Sequence, residues 1–199
     1  MNSVEIWVDP ICPWAWVTSQ WLLEVERLGE AEVQFRVLCK AHLNRDKIAS
    51  SEYEEIRSDD WKPVRVLTAV RLQFGQESVR RFYLELGKRI HLDSRGLSDI
   101  DDVILEALAA ANLPTELAAT GAEVDGELIQ EHFAGLNQVG TDVGTPIISV
   151  GGVAFFGPVV TPAPMGEAAL NLWRGVLMVA GTPGFYELKR SHDEDPQFN

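Results

Sequence analysis

The sequence has only two cysteines in 199 residues, Cys12 and Cys39, which excludes a fold stapled by several disulfides. Basic residues are scarce as well, because 17 Lys and Arg stand against 30 Asp and Glu, giving a net charge of -13. A surface of this sign repels phosphates, which argues against nucleic acid and against anionic membranes. We therefore expect neither of these partners.

Long apolar runs are also missing, since no stretch approaches the roughly 18 consecutive apolar residues of a membrane span. No basic segment followed by an apolar one opens the chain, so no signal peptide is expected and the predicted location is cytoplasmic. The histidines show no metal-ligand spacing, and no phosphate loop or dinucleotide fingerprint occurs. We expect no metal and no tightly bound nucleotide, so reducing equivalents should arrive through thiols.

The two ends of the chain carry strand patterns. Residues 4–8 and 33–38 alternate as strands do, and helical spacing between them predicts a parallel pair joined by a right-handed crossover. Residues 146–150 and 153–156 flank Gly151-Gly152, which predicts a β-hairpin with a two-residue turn. A last helix is predicted at about 165–180.

The middle of the chain carries helix patterns only. Pro63 is placed in the first turn of the first of these helices, and Ser98-Asp99-Ile100-Asp101 resembles a capping box that opens the third. The predicted helices cover about 63–74, 77–90, 98–111 and 123–138.

This order of elements is typical of the α/β, thioredoxin-like fold class, with a mixed sheet that has helices on both faces. The expected core covers residues 1–44 and 141–199, and an all-helical insertion covers 45–140.

Cys12 directly follows the first strand and begins the first helix, with Pro13 in the first helical turn. The dipoles of a helix N-terminus favour negative charge, so a thiol there is expected to have a lowered pKa. The thiolate is the nucleophile that opens a disulfide. Cys12 is therefore the predicted catalytic residue, and the alternative is a buried cysteine that only packs.

Thr145-Pro146 begins the predicted hairpin. In a thioredoxin-like fold this proline lies beside the nucleophile in the cis form, and the residue before it presents unpaired backbone groups to an extended substrate. The alternative is an ordinary loop proline, because only about 5% of X-Pro bonds are cis.

Motifs along essentially the whole chain resemble the DsbA-like, mycothiol-dependent reductases of actinobacteria, including their nitroreductase members. The matching segments are Trp7-Val8-Asp9-Pro10-Ile11-Cys12-Pro13-Trp14-Ala15-Trp16, Trp61, Pro63-Val64-Arg65-Val66, Arg89-Ile90-His91, Val143-Gly144-Thr145-Pro146, Ala154-Phe155-Phe156-Gly157-Pro158, Glu187-Leu188-Lys189-Arg190 and Pro196-Gln197-Phe198. The resemblance implies cytosolic thiol–disulfide chemistry with mycothiol as thiol co-substrate, and nitro reduction in some members. It also implies a thiol or thiol-protein substrate, a mycoredoxin-type reductant and a homodimer.

One position departs from the family pattern Cys-Pro-Trp-Cys, because Ala15 stands where the second cysteine belongs. That cysteine would attack the mixed disulfide on Cys12 and release the substrate. Either Ala15 is an engineered substitution that traps the intermediate, or the natural protein is monothiol and mycothiol from solution resolves it. Cys39 follows the second strand and could approach Cys12, but a core cysteine is the favoured interpretation.

Further candidate site residues are proposed from their positions in the predicted fold. Trp14 is expected to line the substrate groove, and Asn44 and Trp61, at the entry to the insertion, are candidate ligand contacts. A solvated Arg65 and a structural His91 are favoured over roles in binding or catalysis.

Two other functions remain open. One is a kappa-class-like thiol transferase or isomerase that holds a small thiol as cofactor, and the other is a non-enzymatic thioredoxin-like binding module.

Overall fold

The computed structural model describes residues 1–44, 52–191 and 193–198, with the side chains at 52–58 excepted. Within this part of the chain, four strands form one mixed sheet. The strands are β1 (Asn2–Val8), β2 (Ala31–Val37), β3 (Ile147–Val150) and β4 (Val153–Phe156). Their order is β2-β1-β3-β4, with β1 parallel to β2 and antiparallel to β3, so the predicted mixed sheet is confirmed.

Six α-helices surround this sheet in the described residues. They are α1 (Pro13–Arg27), α2 (Lys40–Leu43), α3 (Glu52–Gly87), α4 (Ile100–Ala110), α5 (Asp125–Val139) and α6 (Gly166–Ala180). A π-helical turn, Lys88–Leu92, extends α3, and two short 3-10 turns, Thr115–Ala119 and Ala122–Val124, precede α5. None of these helices is both long enough and apolar enough to cross a bilayer.

The two faces of the sheet are covered by different helices, as the alternation of β1 predicts. Val4 and Ile6 belong to a large core with α1, and that core continues into the buried faces of α3 and α4. Trp7 points to the opposite face, where it packs with Leu136 of α5. The Trp7 indole nitrogen also donates to the Glu131 carbonyl oxygen at 3.1 Å, which ties α5 to the strand that precedes the site.

The hairpin turn forms as expected. Gly151 and Gly152 have φ values of 59° and 82°, the conformation that a type I′ turn requires at both central positions. Since glycine alone adopts two such residues in succession without strain, the sequence specifies this turn directly.

One predicted helix start is wrong, and one predicted capping box does not form. α3 begins at Glu52, so Pro63 lies inside the helix with its ring buried, and the first-turn placement mistook an internal proline for an N-terminal one. The break expected after residue 74 is present as a kink at Gly75, where φ is 75°. The capping box at Ser98 does not form either, because the Ser98 hydroxyl donates to the Arg95 carbonyl oxygen while Asp99 pairs with Arg95.

The last residues return to the body of the protein. The Gln197 backbone N–H donates to the Thr161 hydroxyl at 2.7 Å, and the Phe198 ring lies 5.4 Å from the His91 ring. The tail therefore packs against His91, in the π-helical turn that follows α3.

Candidate active site

Cys12 is the N-cap residue of α1, with extended backbone angles and Pro13 as the first helical residue. Its Sγ donates to the Thr145 carbonyl oxygen at 3.7 Å, although the two residues are 133 positions apart in sequence. β1 and β3 are hydrogen-bonded neighbours, so their adjacent ends bring these residues together. The sulfur is buried, with 4% of the residue exposed, and it lies against Thr145, the residue before the proline that was expected beside the nucleophile.

The net shift of the Cys12 pKa is opposite to the prediction, because burial outweighs the lowering effect of the helix N-terminus. Burial raises the pKa of the Cys12 thiol above its ordinary value, and the negative charge of Asp9 raises it further. The N–H groups of Ala15 and Trp14 lower the pKa without forming a capping hydrogen bond, and they do not compensate for the lost water. Cys12 is therefore held as a thiol at neutral pH.

Thr145 and Pro146 directly precede β3, and the Thr145 carbonyl oxygen contacts the Cys12 sulfur. Both are buried, and the peptide bond between them is cis. The Thr145 hydroxyl donates to the Trp7 carbonyl oxygen at 3.1 Å, which fixes the residue to the end of β1. The Thr145 carbonyl was expected to be unpaired, but it accepts the Cys12 thiol, so an incoming substrate must displace that contact to use it.

Asp9 was not singled out from the sequence, yet it organises the turn before Cys12. Its side chain is completely buried, its Oδ1 accepts from the Ile11 backbone N–H at 3.0 Å, and its Oδ2 accepts from the Lys40 backbone N–H at 2.6 Å. The Cys12 N–H donates to the Asp9 carbonyl oxygen at 3.0 Å. A carboxylate directly after an apolar strand, three residues before the nucleophile, was the available signal.

His91 supports the other side of the same turn. Its Nε2 donates to the Pro10 carbonyl oxygen at 2.9 Å, and its ring stacks on Trp16 with the ring centroids 5.6 Å apart. Trp16 is itself buried against Tyr83. The geometry agrees with the structural role preferred for His91, since it braces the loop without contacting the sulfur.

Burial lowers the pKa of His91 from 6.5 to about 4, which makes its contribution to stability depend on pH. Between these values the unfolded chain binds a proton that the folded chain does not, so stability falls as the pH falls. His91→Gln is the reference protein, because its amide can still donate to Pro10 but does not titrate. Between pH 6.5 and pH 4, the unfolding free energy of the wild type should fall by about 3 kcal/mol more than that of His91→Gln. Urea unfolding of both proteins across this range measures it, and a constant difference would contradict the assignment.

The remaining predicted site residues lie in the first turn of α1 and around α2 and α3. Ala15 is buried in the first turn of α1, beside Cys12, whereas Pro13 and Trp14 are half-buried. Asn44 is the C-cap of α2, and Trp61 of α3 lies against the ring of His42, also in α2, with the ring centroids 6.1 Å apart. Both Asn44 and Trp61 are half-buried.

Trp61 belongs to an aromatic cluster that the sequence did not reveal. His42 contacts the rings of Trp61, His132 and Phe133 edge to face, at centroid distances of 5.0 to 6.1 Å. Arg65 was expected to be solvated, but its guanidinium lies 5.1 Å above the Trp61 ring and pairs with both Asp125 carboxylate oxygens. This residue therefore joins α3 to the start of α5.

Cys39 is buried and free, in line with the favoured interpretation of it as a core cysteine. It is the N-cap of α2, where its Sγ accepts the His42 backbone N–H at 3.3 Å. Its own N–H donates to His132 Nδ1 at 3.1 Å, and burial raises the pKa of its thiol. Cys39 thus has a defined structural role in starting α2.

The overall structure is similar to those of known thiol–disulfide oxidoreductases. The structure is similar to the "probable DsbA oxidoreductase SCO1869" from Streptomyces coelicolor, with a TM-score of 0.59 and 17% identity over 98% of this chain and 96% of that one. It is also similar to the cytosolic disulfide reductase DsbM from Pseudomonas aeruginosa, with a TM-score of 0.55 and 14% identity over 88% and 99% of the two chains. The fold is thus the DsbA-like form of the thioredoxin fold.

The sequence places the chain more narrowly. Residues 11–190 match the family model described as Rv2466c-like, mycothiol-dependent nitroreductase Rv2466c, and the chain belongs to that oxidoreductase family. A relative from Mycobacterium tuberculosis, the "Uncharacterized protein Rv2286c", is 27% identical over 193 residues, which cover 96% of this chain and 82% of the relative. The resemblance inferred from the sequence motifs is therefore confirmed.

Proposed function

We propose that the protein is a cytoplasmic, mycothiol-dependent thiol oxidoreductase that works through Cys12 alone. The observation that carries the proposal is the contact between the Cys12 sulfur and the Thr145 carbonyl oxygen at the start of α1. This contact puts the thiol beside an extended backbone segment on which a thiol or disulfide substrate can align. Membership of the mycothiol-dependent family supports mycothiol as the partner thiol.

The proposed first step is attack by the Cys12 thiolate on one sulfur of oxidised mycothiol. A Cys12–mycothiol disulfide forms, the original disulfide breaks, and the second mycothiol leaves as thiolate, so one sulfur is oxidised as the other is reduced. Because Cys12 is protonated at rest, its proton must leave before the attack. Trp14 and Pro13 in the first turn of α1 are the proposed walls of the substrate groove, and Asn44 and Trp61 the proposed ligand contacts further out.

The second step requires a thiol from solution, because Ala15 supplies none. A mycoredoxin-type reductant attacks the Cys12–mycothiol disulfide, takes over the mycothiol as its own mixed disulfide and releases Cys12 as the thiol, so that oxidised mycothiol is reduced overall. Free mycothiol resolves a mixed disulfide with another thiol substrate in the same way, whereas on the mycothiol adduct it reverses the first step.

The family is named for mycothiol-dependent nitro reduction. When a nitro substrate is present, we propose a separate cycle in which the nitro group accepts two electrons as Cys12 and one mycothiol join in a mixed disulfide, with one nitro oxygen leaving as water. A second mycothiol then attacks this mixed disulfide, releasing Cys12 as the thiol and leaving mycothiol disulfide.

Intact mass measurement after incubation with oxidised mycothiol tests the proposal. We expect one mycothiol adduct per chain, which persists after the oxidant is removed and disappears when reduced mycothiol is added. Cys12→Ser should form no adduct, whereas the matched variant Cys39→Ser should form it as the wild type does, since Cys39 only caps α2. The same proteins, given a nitro compound and mycothiol, report whether nitro reduction follows Cys12.

Other outcomes would contradict the proposal in distinct ways. Tight binding of the thiol without an adduct would indicate the kappa-class-like transferase, which holds its thiol as a cofactor. Neither binding nor reaction would indicate a binding module. An adduct on Cys39 would show that the nucleophile is misassigned.

A further inference from the structure

Asp9 places a carboxyl group where a buried charge is costly. The residue has no exposed surface, and removing a carboxylate from water disfavours its charged form. Burial raises the pKa of Asp9 from 3.8 to about 7, even though the N–H groups of Lys40 and Ile11 lower it. A group of this kind changes charge near neutral pH, which an ordinary loop aspartate does not.

The contacts of Asp9 connect it to both buried thiols. One carboxylate oxygen binds the N–H of Ile11, next to Cys12, and the other binds the N–H of Lys40, next to Cys39. Asp9 does not take the Cys12 proton through a direct hydrogen bond, because the thiol donates to Thr145 instead. Any influence of Asp9 on the nucleophile therefore acts through the backbone of the turn and through charge.

We propose that Asp9 is a positioning residue that also controls the reactivity of the nucleophile: its two hydrogen bonds hold the turn before Cys12, and its negative charge adds to the cost of forming the Cys12 thiolate, a cost that is removed when Asp9 is protonated. This inference rests on the proposed function, in which the Cys12 thiolate attacks. With Asp9 protonated, ionisation of Cys12 puts one negative charge in the buried site. With Asp9 ionised, ionisation of Cys12 puts two negative charges in the buried site.

Other charged groups near this pair modify its titration without replacing it. Lys40 on α2 favours the ionised form of both Asp9 and Cys12, and the half-buried Asp60 on α3 disfavours ionisation of Asp9. The negative charge of Asp9 also disfavours ionisation of Cys39 and of Tyr83 on α3. Neither Cys39 nor Tyr83 is the proposed nucleophile, so the charge of Asp9 bears on the proposed reaction through Cys12.

The test measures the alkylation rate of Cys12 by iodoacetamide from about pH 5 to pH 10, in a Cys39→Ser background so that one thiol reports. Asp9→Asn should lower the midpoint of the pH–rate profile by about one unit. Near pH 7.5 the rate should rise about threefold, because about tenfold more thiolate outweighs its lower intrinsic nucleophilicity. The matched variant Asp60→Asn, which removes a nearby charge without a bond to the turn, should shift the midpoint much less.

An unshifted midpoint, or a rate that falls equally at every pH, would overturn the proposal and leave Asp9 as a structural residue only. If Asp9→Asn does not fold, measurements on the wild-type protein still test the proposal. Infrared spectra of its carboxyl groups should show one buried carboxyl titrating near neutral pH, and the alkylation profile should change slope at the same pH. A profile without that second inflection would overturn the proposal.

The readout does not involve mycothiol. If the proposed function fails, mycothiol adducts are absent while the alkylation profile still shifts with Asp9→Asn. If only the inference about Asp9 fails, the adduct forms on Cys12 and the profile of the variant coincides with that of the wild type.

Discussion

Replacing Ala15 with cysteine is expected to shorten the lifetime of the Cys12 mixed disulfide at least about 100-fold. Position 15 is three residues after the N-cap, one turn into α1, and the Ala15 N–H already points at the Cys12 sulfur. Positions one helical turn apart lie within the Cα separation that a disulfide spans. The new thiol would attack the mixed disulfide within the protein, releasing mycothiol and leaving a disulfide between Cys12 and the introduced cysteine.

The measurement is a time course of intact mass after the oxidant is removed. The wild type should retain the adduct, whereas Ala15→Cys should lose it and end two hydrogens lighter than the reduced variant. Ala15→Ser is the matched control, because its side chain has nearly the same size but cannot form a disulfide, and it should keep the adduct as the wild type does. An adduct equally stable in the cysteine variant would show that position 15 cannot reach the reacting sulfur.

The parts of the fold that the sequence predicted are those with strong local signals. Alternating apolar residues predicted β1 and β2, and the pair Gly151-Gly152 predicted the hairpin, because in each case neighbouring residues alone determine the conformation. The start of α3 was missed because proline favours the first turn of a helix and disfavours its interior, so the local signal at Pro63 differs from the helix that forms. The buried position of Pro63 shows that the packing of the whole fold, and not local preference, sets the extent of α3.

The site was predicted in position and not in electrostatics. The strand and helix patterns located Cys12 at the N-terminus of α1, where the structure has it, whereas its proximity to the Thr145-Pro146 pair was expected only from the thioredoxin-like fold class. The direction of the Cys12 pKa depends on how much water the whole fold removes and on which charges it buries nearby. A carboxylate three residues before Cys12 is visible in the sequence, but its burial and its bond to Lys40, 31 residues away, follow only from the fold.

The support of the site depends equally on a long-range contact. At Gly87, the last residue of α3, the backbone has ordinary helical angles, so its glycine is not required by conformation. A Cβ there would lie 2.3 Å from two ring carbons of Trp16. That ring cannot easily move, since it is stacked on His91 and packed against Tyr83.

Gly87→Ala is therefore expected to destabilise the protein by about 3 kcal/mol, the upper part of the range for overpacking a core. Gly175→Ala is the matched control, because Gly175 lies inside α6 and a Cβ added there would have nothing within 4 Å, so the change should stabilise the helix by about 0.5 to 1 kcal/mol. Urea unfolding of both variants measures the contrast, and an equal effect at the two positions would contradict the steric argument.

A double variant separates the clash from a general loss of packing. In a Trp16→Leu background the ring is gone, so Gly87→Ala should cost less than about 1 kcal/mol, and the difference between the two backgrounds is the coupling energy of the pair. The clash at Trp16 should also change the accessibility of Cys12. Because Trp16 supports His91, and His91 holds the Pro10 carbonyl of the Cys12 turn, a displaced Trp16 should expose Cys12 and speed its alkylation in the folded single variant. A Gly87→Ala protein that is destabilised but alkylated at the wild-type rate would show that this stack stabilises the fold without positioning the nucleophile.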